Sequence, residues 1–145
     1  MYFLDVVNRG ALPAMEKMLA FTQARHRMLT ENVANVDTPG YQPRHLDPEA
    51  FQRALAEALD TRKRTRSPSL QIRSSEQFRQ DRSGRLAVTP TVEPAENILF
   101  HDHTNVRIEK QMAMLAENAM MHQVVTELLN DKFQGLLKAI RGRVV

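Results

Sequence analysis

Histidine is the residue type best suited to chemistry in this chain, and two of the five stand one residue apart at His101-Asp102-His103. An extended His-x-His presents both rings on one side, as a metal would require. A zinc centre takes three or four protein ligands, and the remaining histidines are His26, His45 and His122, two of which fall on an apolar helix seam. The tripeptide therefore reads as a polar loop ahead of a helix, and no metal is expected. Cysteine is absent, which excludes thiol chemistry and disulfides. No serine or threonine stands in a nucleophile signature, and the glycines form no phosphate loop. The carboxylates are scattered at spacings typical of solvation and ion pairing. These residues argue against an enzyme and ask for no cofactor.

His26 and His122 lead from chemistry to architecture. Leu12, Met15, Leu19, Thr22, His26, Leu29, Val33 and Val36 recur at alternating steps of three and four, and so do Met112, Leu115, Ala119, His122, Thr126, Leu129, Phe133 and Leu136. Such steps put one stripe along each helix. Laid antiparallel, the stripes pair Leu12 with Leu136, Thr22 with Thr126, His26 with His122 and Val33 with Leu115, so polar layers meet polar layers. The facing histidines would either titrate near neutrality or fix the register as a packed polar layer. Register is the expected use.

The expected fold is mainly α: N- and C-terminal helices form a coiled-coil-like antiparallel hairpin around a partly irregular middle. Leaving out Met1, all seven other methionines lie in the two long helical stretches, and six of the seven prolines lie from Pro39 to Pro94. Three parts follow. Residues 1–44 hold an arm, a helix over about 11–36 with Pro13 in its first turn, and a turn at Thr38-Pro39-Gly40-Tyr41. Residues 45–104 are a variable middle. Residues 105–145 carry the second long helix, ended by Gly142. Within the middle, Asp47 caps a short helix over 48–59 with Pro48 at its first position. Leu70–Arg73 and Arg85–Thr89 are candidate strands of a small hairpin across Ser83-Gly84.

Each long helix also has more apolar surface than one partner covers. Met18, Phe21, Ala24 and Met28 flank the first seam, and Met114, Met120, Met121, Val124, Leu128 and Leu137 flank the second. Each large apolar side chain left in water forgoes roughly 1.5–3 kcal/mol. The middle looks too small to cover both surplus stripes, so the chain is expected to be loosely ordered alone and ordered in an assembly.

Charge is nearly balanced, with 20 basic and 17 acidic residues. The run Arg62-Lys63-Arg64-Thr65-Arg66 has no interleaved aromatic residue, so it makes a weak case for nucleic acid. No apolar run approaches the ~20 residues needed to span a bilayer. The N-terminal stretch lacks the basic and long apolar parts of a cleaved secretory signal.

Ala34-Asn35-Val36-Asp37-Thr38-Pro39-Gly40-Tyr41, at the end of an amphipathic helix, resembles the Ala-Asn-x-x-Thr-Pro-Gly-Tyr signature of the rod and hook family of bacterial flagellar axial proteins. Asn105-Val106, Glu109, Met112, Leu115-Ala116-Glu117-Asn118 and Gln123 are similar to the C-terminal motif of its proximal-rod members. So is the ending Phe133-x-Gly135-Leu136-x-x-Ala139-Ile140. One departure is Asp102-His103-Thr104-Asn105, where the family tends to have Asp-Gly-Asn.

The resemblance implies a structural subunit that leaves the cell unfolded through the flagellar export apparatus, without a cleaved signal. It implies polymerisation through the terminal helices into the hollow rod of the basal body, on the periplasmic side of the inner membrane. Its partners would be further copies, neighbouring rod proteins, the rod adapter, export-gate proteins and the membrane ring. The alternative is a helical scaffold or adaptor for protein partners or an anionic polymer.

Overall fold

The structure is a computed structural model that describes residues 10–93 and 103–142. Its elements in chain order are α1 (Leu12–Ala34), β1 (Arg44–His45), α2 (Pro48–Thr65), β2 (Phe78–Gln80), β3 (Leu86–Val88), β4 (Thr91–Val92) and α3 (His103–Ile140). The N-terminal arm at residues 1–9 and the side chains of His101-Asp102-His103 lie outside the described residues.

α1 and α3 pack antiparallel, and the middle segment closes over the other side of α1. That segment covers more than its composition suggests. α2 runs to Thr65, a turn and a half beyond the expected end, with Arg64 paired to Asp60 at 3.5 Å one turn back and Arg66 closing it in the left-handed conformation at φ 52°. Its start follows the sequence logic: the Asp47 carboxylate accepts from Glu49 N at 2.9 Å and Ala50 N at 3.0 Å, and Pro48 follows. The basic run Arg62–Arg66 thus forms the end of a helix, where cations oppose the negative pole of the dipole.

The core centres on three rings. Phe21 of α1 stacks on Phe51 of α2 at 4.2 Å between centroids, and Phe78 of β2 meets both edge-on at 5.9 and 5.5 Å. Edge-to-face and stacked pairs contribute about 0.5–1.5 kcal/mol beyond burial. Met28, Leu29, Leu46, Leu55, Leu70 and Ile72 complete this core.

β3 falls within the expected strand, but its partner is β2: Phe78 pairs with Val88 and Gln80 with Leu86. Leu70 and Ile72 are buried without joining a sheet. The Gln80 side chain takes the place of a ladder there, accepting from Ile72 N at 2.8 Å and donating to Leu70 O at 3.0 Å. The β2–β3 turn is closed by Asp81, whose carboxylate accepts from Ser83 Oγ at 2.6 Å and Arg85 N at 2.8 Å. The Ser83 and Arg85 hydrogen bonds hold the Asp81 carboxyl below its ordinary pKa. Lys17 ties α1 to this turn through Gly84 O at 2.8 Å. A second ribbon pairs β1 with β4, and Gln77 bridges the two by donating to His45 O and Thr91 Oγ1.

Candidate assembly surface

Three features meet at the surface singled out by the sequence: the α1–α3 seam, the turn after α1, and the apolar rows of α3. The seam is defined by its polar contacts. Thr22, buried in α1, donates its hydroxyl proton to Leu19 O at 3.1 Å, leaving the oxygen to accept from His122 Nδ1 at 2.9 Å. Asn118 donates to Thr22 O at 2.9 Å, Arg25 pairs with Glu117 at 3.8 Å, and Asn32 lies 3.5 Å from Gln111 Oε1. Burial lowers the pKa of the Arg25 guanidinium, and Glu117 acts in the opposite direction.

These contacts correct the expected layers. Thr22 meets His122 rather than Thr126, so the helices are offset by about one turn from the pairing drawn on the sequence. His26 is exposed, and His122 meets Thr22 in its place.

The offset follows from which residues of α3 are most buried. Asn118 and Val125 are each 1% exposed, whereas Ala119, Thr126 and Phe133, one place along, are exposed. Leu115, His122, Leu129 and Leu136 are half-buried. On α1, Leu12, Thr22 and Leu29 are buried, and Met15, Leu19 and Val33 are half-buried. The stripe through 111, 115, 118, 122, 125 and 129 has the same period of three and four as the one read from the sequence. Periodicity alone cannot separate two stripes so close together. The Asn118 amide, which needs a buried acceptor once it is buried, was the available signal.

The turn is held from inside. Asn35 caps α1, its own N–H reaching Glu31 O at 3.1 Å and its side-chain amide the same oxygen at 2.9 Å. Thr38 N donates to Asn35 O at 3.0 Å, and Tyr41 N to Thr38 O at 3.2 Å. Ala34, Thr38, Pro39 and Gly40 are exposed, while Asn35 and Tyr41 are half-buried. Gly40 has φ +76°, a region where a side chain is strained although nothing crowds the space a Cβ would fill. Sequence reasoning missed Asn32, which is buried in the last turn of α1. Its oxygen accepts from Tyr41 OH and Arg44 N at 3.0 Å each, and its amide donates to Arg44 O at 2.8 Å. That one side chain fixes the direction in which the chain leaves α1.

Outside the seam, α3 is largely bare among the described residues. Met121, Val124 and Leu128, at steps of three and four, form one exposed row; Met112, Ala119, Thr126, Phe133 and Leu137 form another on the far side of the seam. Thus Ala119, Thr126 and Phe133 flank the helix pair rather than fill it.

Comparison with known proteins gives the class. The chain is similar to bacterial flagellar basal body rod proteins along nearly its whole length. More particularly, it is similar to flagellar basal body rod protein FlgB. It is 25% identical over 133 residues to FlgB of Bacillus subtilis, covering 92% of this chain and 95% of that one. To FlgB of Aeromonas hydrophila it is 28% identical over 126 residues, covering 86% and 87%. To FlgB of Cereibacter sphaeroides it is 29% identical over 135 residues, covering 92% and 96%. No family model matches the chain, and no solved structure matches it.

Proposed function

We propose that this protein is a structural subunit of the flagellar basal-body rod, working by assembly rather than by catalysis. The carrying observation is α3, whose two exposed apolar rows run beside the seam along most of its length. A surface of that kind on a soluble chain marks a protein interface. Two rows facing different directions suit a head-to-tail contact that repeats into a helical tube, rather than one that closes on itself. The family name of the relatives supports the same reading.

In this reading the terminal segments, 1–44 and 105–145, make the wall of a hollow axis, and residues 45–104 buttress α1 from outside. The subunit is exported without a cleaved signal and sits on the periplasmic side of the inner membrane. It transmits torque and leaves a channel for later exported proteins. Its neighbours are further copies, adjoining rod proteins, the rod adapter, the export gate and the membrane ring. The turn at Thr38-Pro39-Gly40-Tyr41 sets the path out of the wall.

Mass spectrometry of basal bodies purified from the source cell tests the reading. Recovery of this chain with the rod-containing fraction is the expected result. Its absence from a fraction in which other rod subunits are detected would return the protein to the scaffold or adaptor class.

A further inference from the structure

A cleft lies between the middle of α1, the first turns of α2 and the middle of α3. Met18, Phe21, Leu55 and Met121 give it apolar walls, and among the described residues Arg25 and Glu117 are its only charged lining. Its free volume of about 70 Å³ is far below the roughly 300 Å³ of a small-molecule pocket, so it takes side chains rather than a cofactor.

Arg25 is poorly served there. Its side chain is 9% exposed, yet its ion pair with Glu117 is 3.8 Å long, against about 2.7–2.9 Å for a charge-assisted hydrogen bond. Glu117 itself is 68% exposed. The polar groups beside it are already engaged: the Thr22 hydroxyl with Leu19 O and His122 Nδ1, and the Asn118 amide with Thr22 O. A guanidinium offers five N–H donors in a planar fork, and a buried charge is stable when it is both paired and hydrogen-bonded. The cleft therefore asks for a second carboxylate, carried among apolar side chains that suit its walls.

The chain holds one such sequence. Of its 17 acidic residues, Asp5 alone has a Leu, Ile, Val, Met or Phe on each side, within Tyr2-Phe3-Leu4-Asp5-Val6-Val7. Gly10 stands fifteen residues before Arg25, roughly 22 Å along a helix axis. The five links from Asp5 to Gly10 span at most about 18 Å. The arm of the same copy thus meets Arg25 only at full stretch, whereas the arm of a second copy is free of that tether.

We propose that residues 2–7 of one copy dock in this cleft of the next, with the Asp5 carboxylate on the Arg25 guanidinium and the flanking apolar side chains against its walls. The inference rests on the reading of this protein as an assembling subunit, and adds which segment meets which surface. Arm and cleft are different parts of the chain, so the contact has a direction, as head-to-tail assembly requires.

Because the chain has no cysteine, disulfide trapping in basal bodies tests it. Phe3→Cys and Gln52→Cys, the latter in the cleft lining, are placed on separate copies expressed together, and isolated basal bodies are oxidised. A disulfide-linked dimer of the two variants is expected. Arg82→Cys, exposed on the β2–β3 turn, should give none in place of Gln52→Cys. Asp5→Asn on the Phe3→Cys copy should reduce the dimer at least about tenfold, and Arg25→Gln on the Gln52→Cys copy should do the same. If circular dichroism shows that Arg25→Gln has lost helix, Asp5→Asn carries the test. Basal bodies that contain both variants without the dimer, or with a dimer indifferent to Asp5→Asn, would overturn the proposal and leave the rod reading standing. So would ready labelling of Gln52→Cys by a maleimide in the assembled rod, which would show an empty cleft. A disulfide that forms only when both cysteines are on one chain would overturn it too, by returning the arm to its own cleft. Absence of the chain from basal bodies would overturn both readings.

Discussion

The two long helices of this protein have similar apolar content and opposite situations. α1 is covered on two sides, by α3 through Thr22, Arg25 and Leu29 and by the middle segment through Phe21 and Met28. Even Lys17 and Asn32 are buried in it, Lys17 bonded to Gly84 of the middle segment and Asn32 to Arg44 of β1. Among its described residues, α3 is covered along a single stripe with Met114 beside it, and most of its other large apolar side chains are exposed. Amphipathic sequence thus does two jobs in one chain. In α1 it builds the fold of the monomer, and in α3 it is surplus to that fold.

The largest effects should come from α1. Phe21→Ala removes the ring that stacks on Phe51 and touches Phe78, and large-to-small changes at such sites cost about 3–5 kcal/mol. Urea unfolding of the purified monomer should show that loss, or no folded baseline at all. A cost under about 1 kcal/mol would mean that the middle segment does not close over α1 as described.

Asn118→Ala comes next, because it strikes α3 where, as at Val125, it is as buried as α1. The change removes the Asn118 bond to Thr22 O, whose helical bond remains, a loss of about 0.5–1.5 kcal/mol. Ala119→Leu, one residue along on the exposed row, should change monomer stability by less than about 0.5 kcal/mol. Equal effects at the two positions would erase the distinction between the seam and its flanking row.

That pair of variants also marks the limit of what could be read from the chain. The helical hairpin, the helix ends near Ala34 and Ile140, and the Asp47-Pro48 start of α2 all follow from local patterns: period, proline position and a capping carboxylate. What stayed hidden depends on long-range partners. Gln80 and Gln77 organise the middle through side-chain amides, which leave no periodic trace. The seam register depends on one buried amide against a stripe of small and polar residues whose two candidate courses differ by a single position. The middle segment's ability to cover α1 was undervalued because Phe51, Leu70, Ile72 and Phe78 are scattered in sequence and converge only in space.

The turn between the two regimes is tested by Gly40→Val. A non-glycine residue at φ +76° costs about 1–3 kcal/mol, and open space around the position means that backbone strain alone is measured. Tyr41 and Arg44 are held by Asn32 from inside the helix, so the core is expected to persist. Helix content by circular dichroism should therefore stay near the parent value while assembly fails. Loss of most helix would place the turn in the folding core rather than at its exit.

The smallest effect on the monomer should accompany the sharpest effect on assembly. Leu128 is 45% exposed and contributes to the row with Met121 and Val124. Leu128→Glu should change unfolding free energy by less than about 0.5 kcal/mol, since the side chain already meets water. In an interface, the same charge would lie in an apolar contact without a partner, at a cost of several kcal/mol. Motility restored by plasmid-borne parent chain, but not by Leu128→Glu at equal expression, would separate the two jobs of amphipathic sequence in one experiment. Equal restoration by both would show that the bare row of α3 is ordinary surface, and the contrast with α1 would then concern the fold alone.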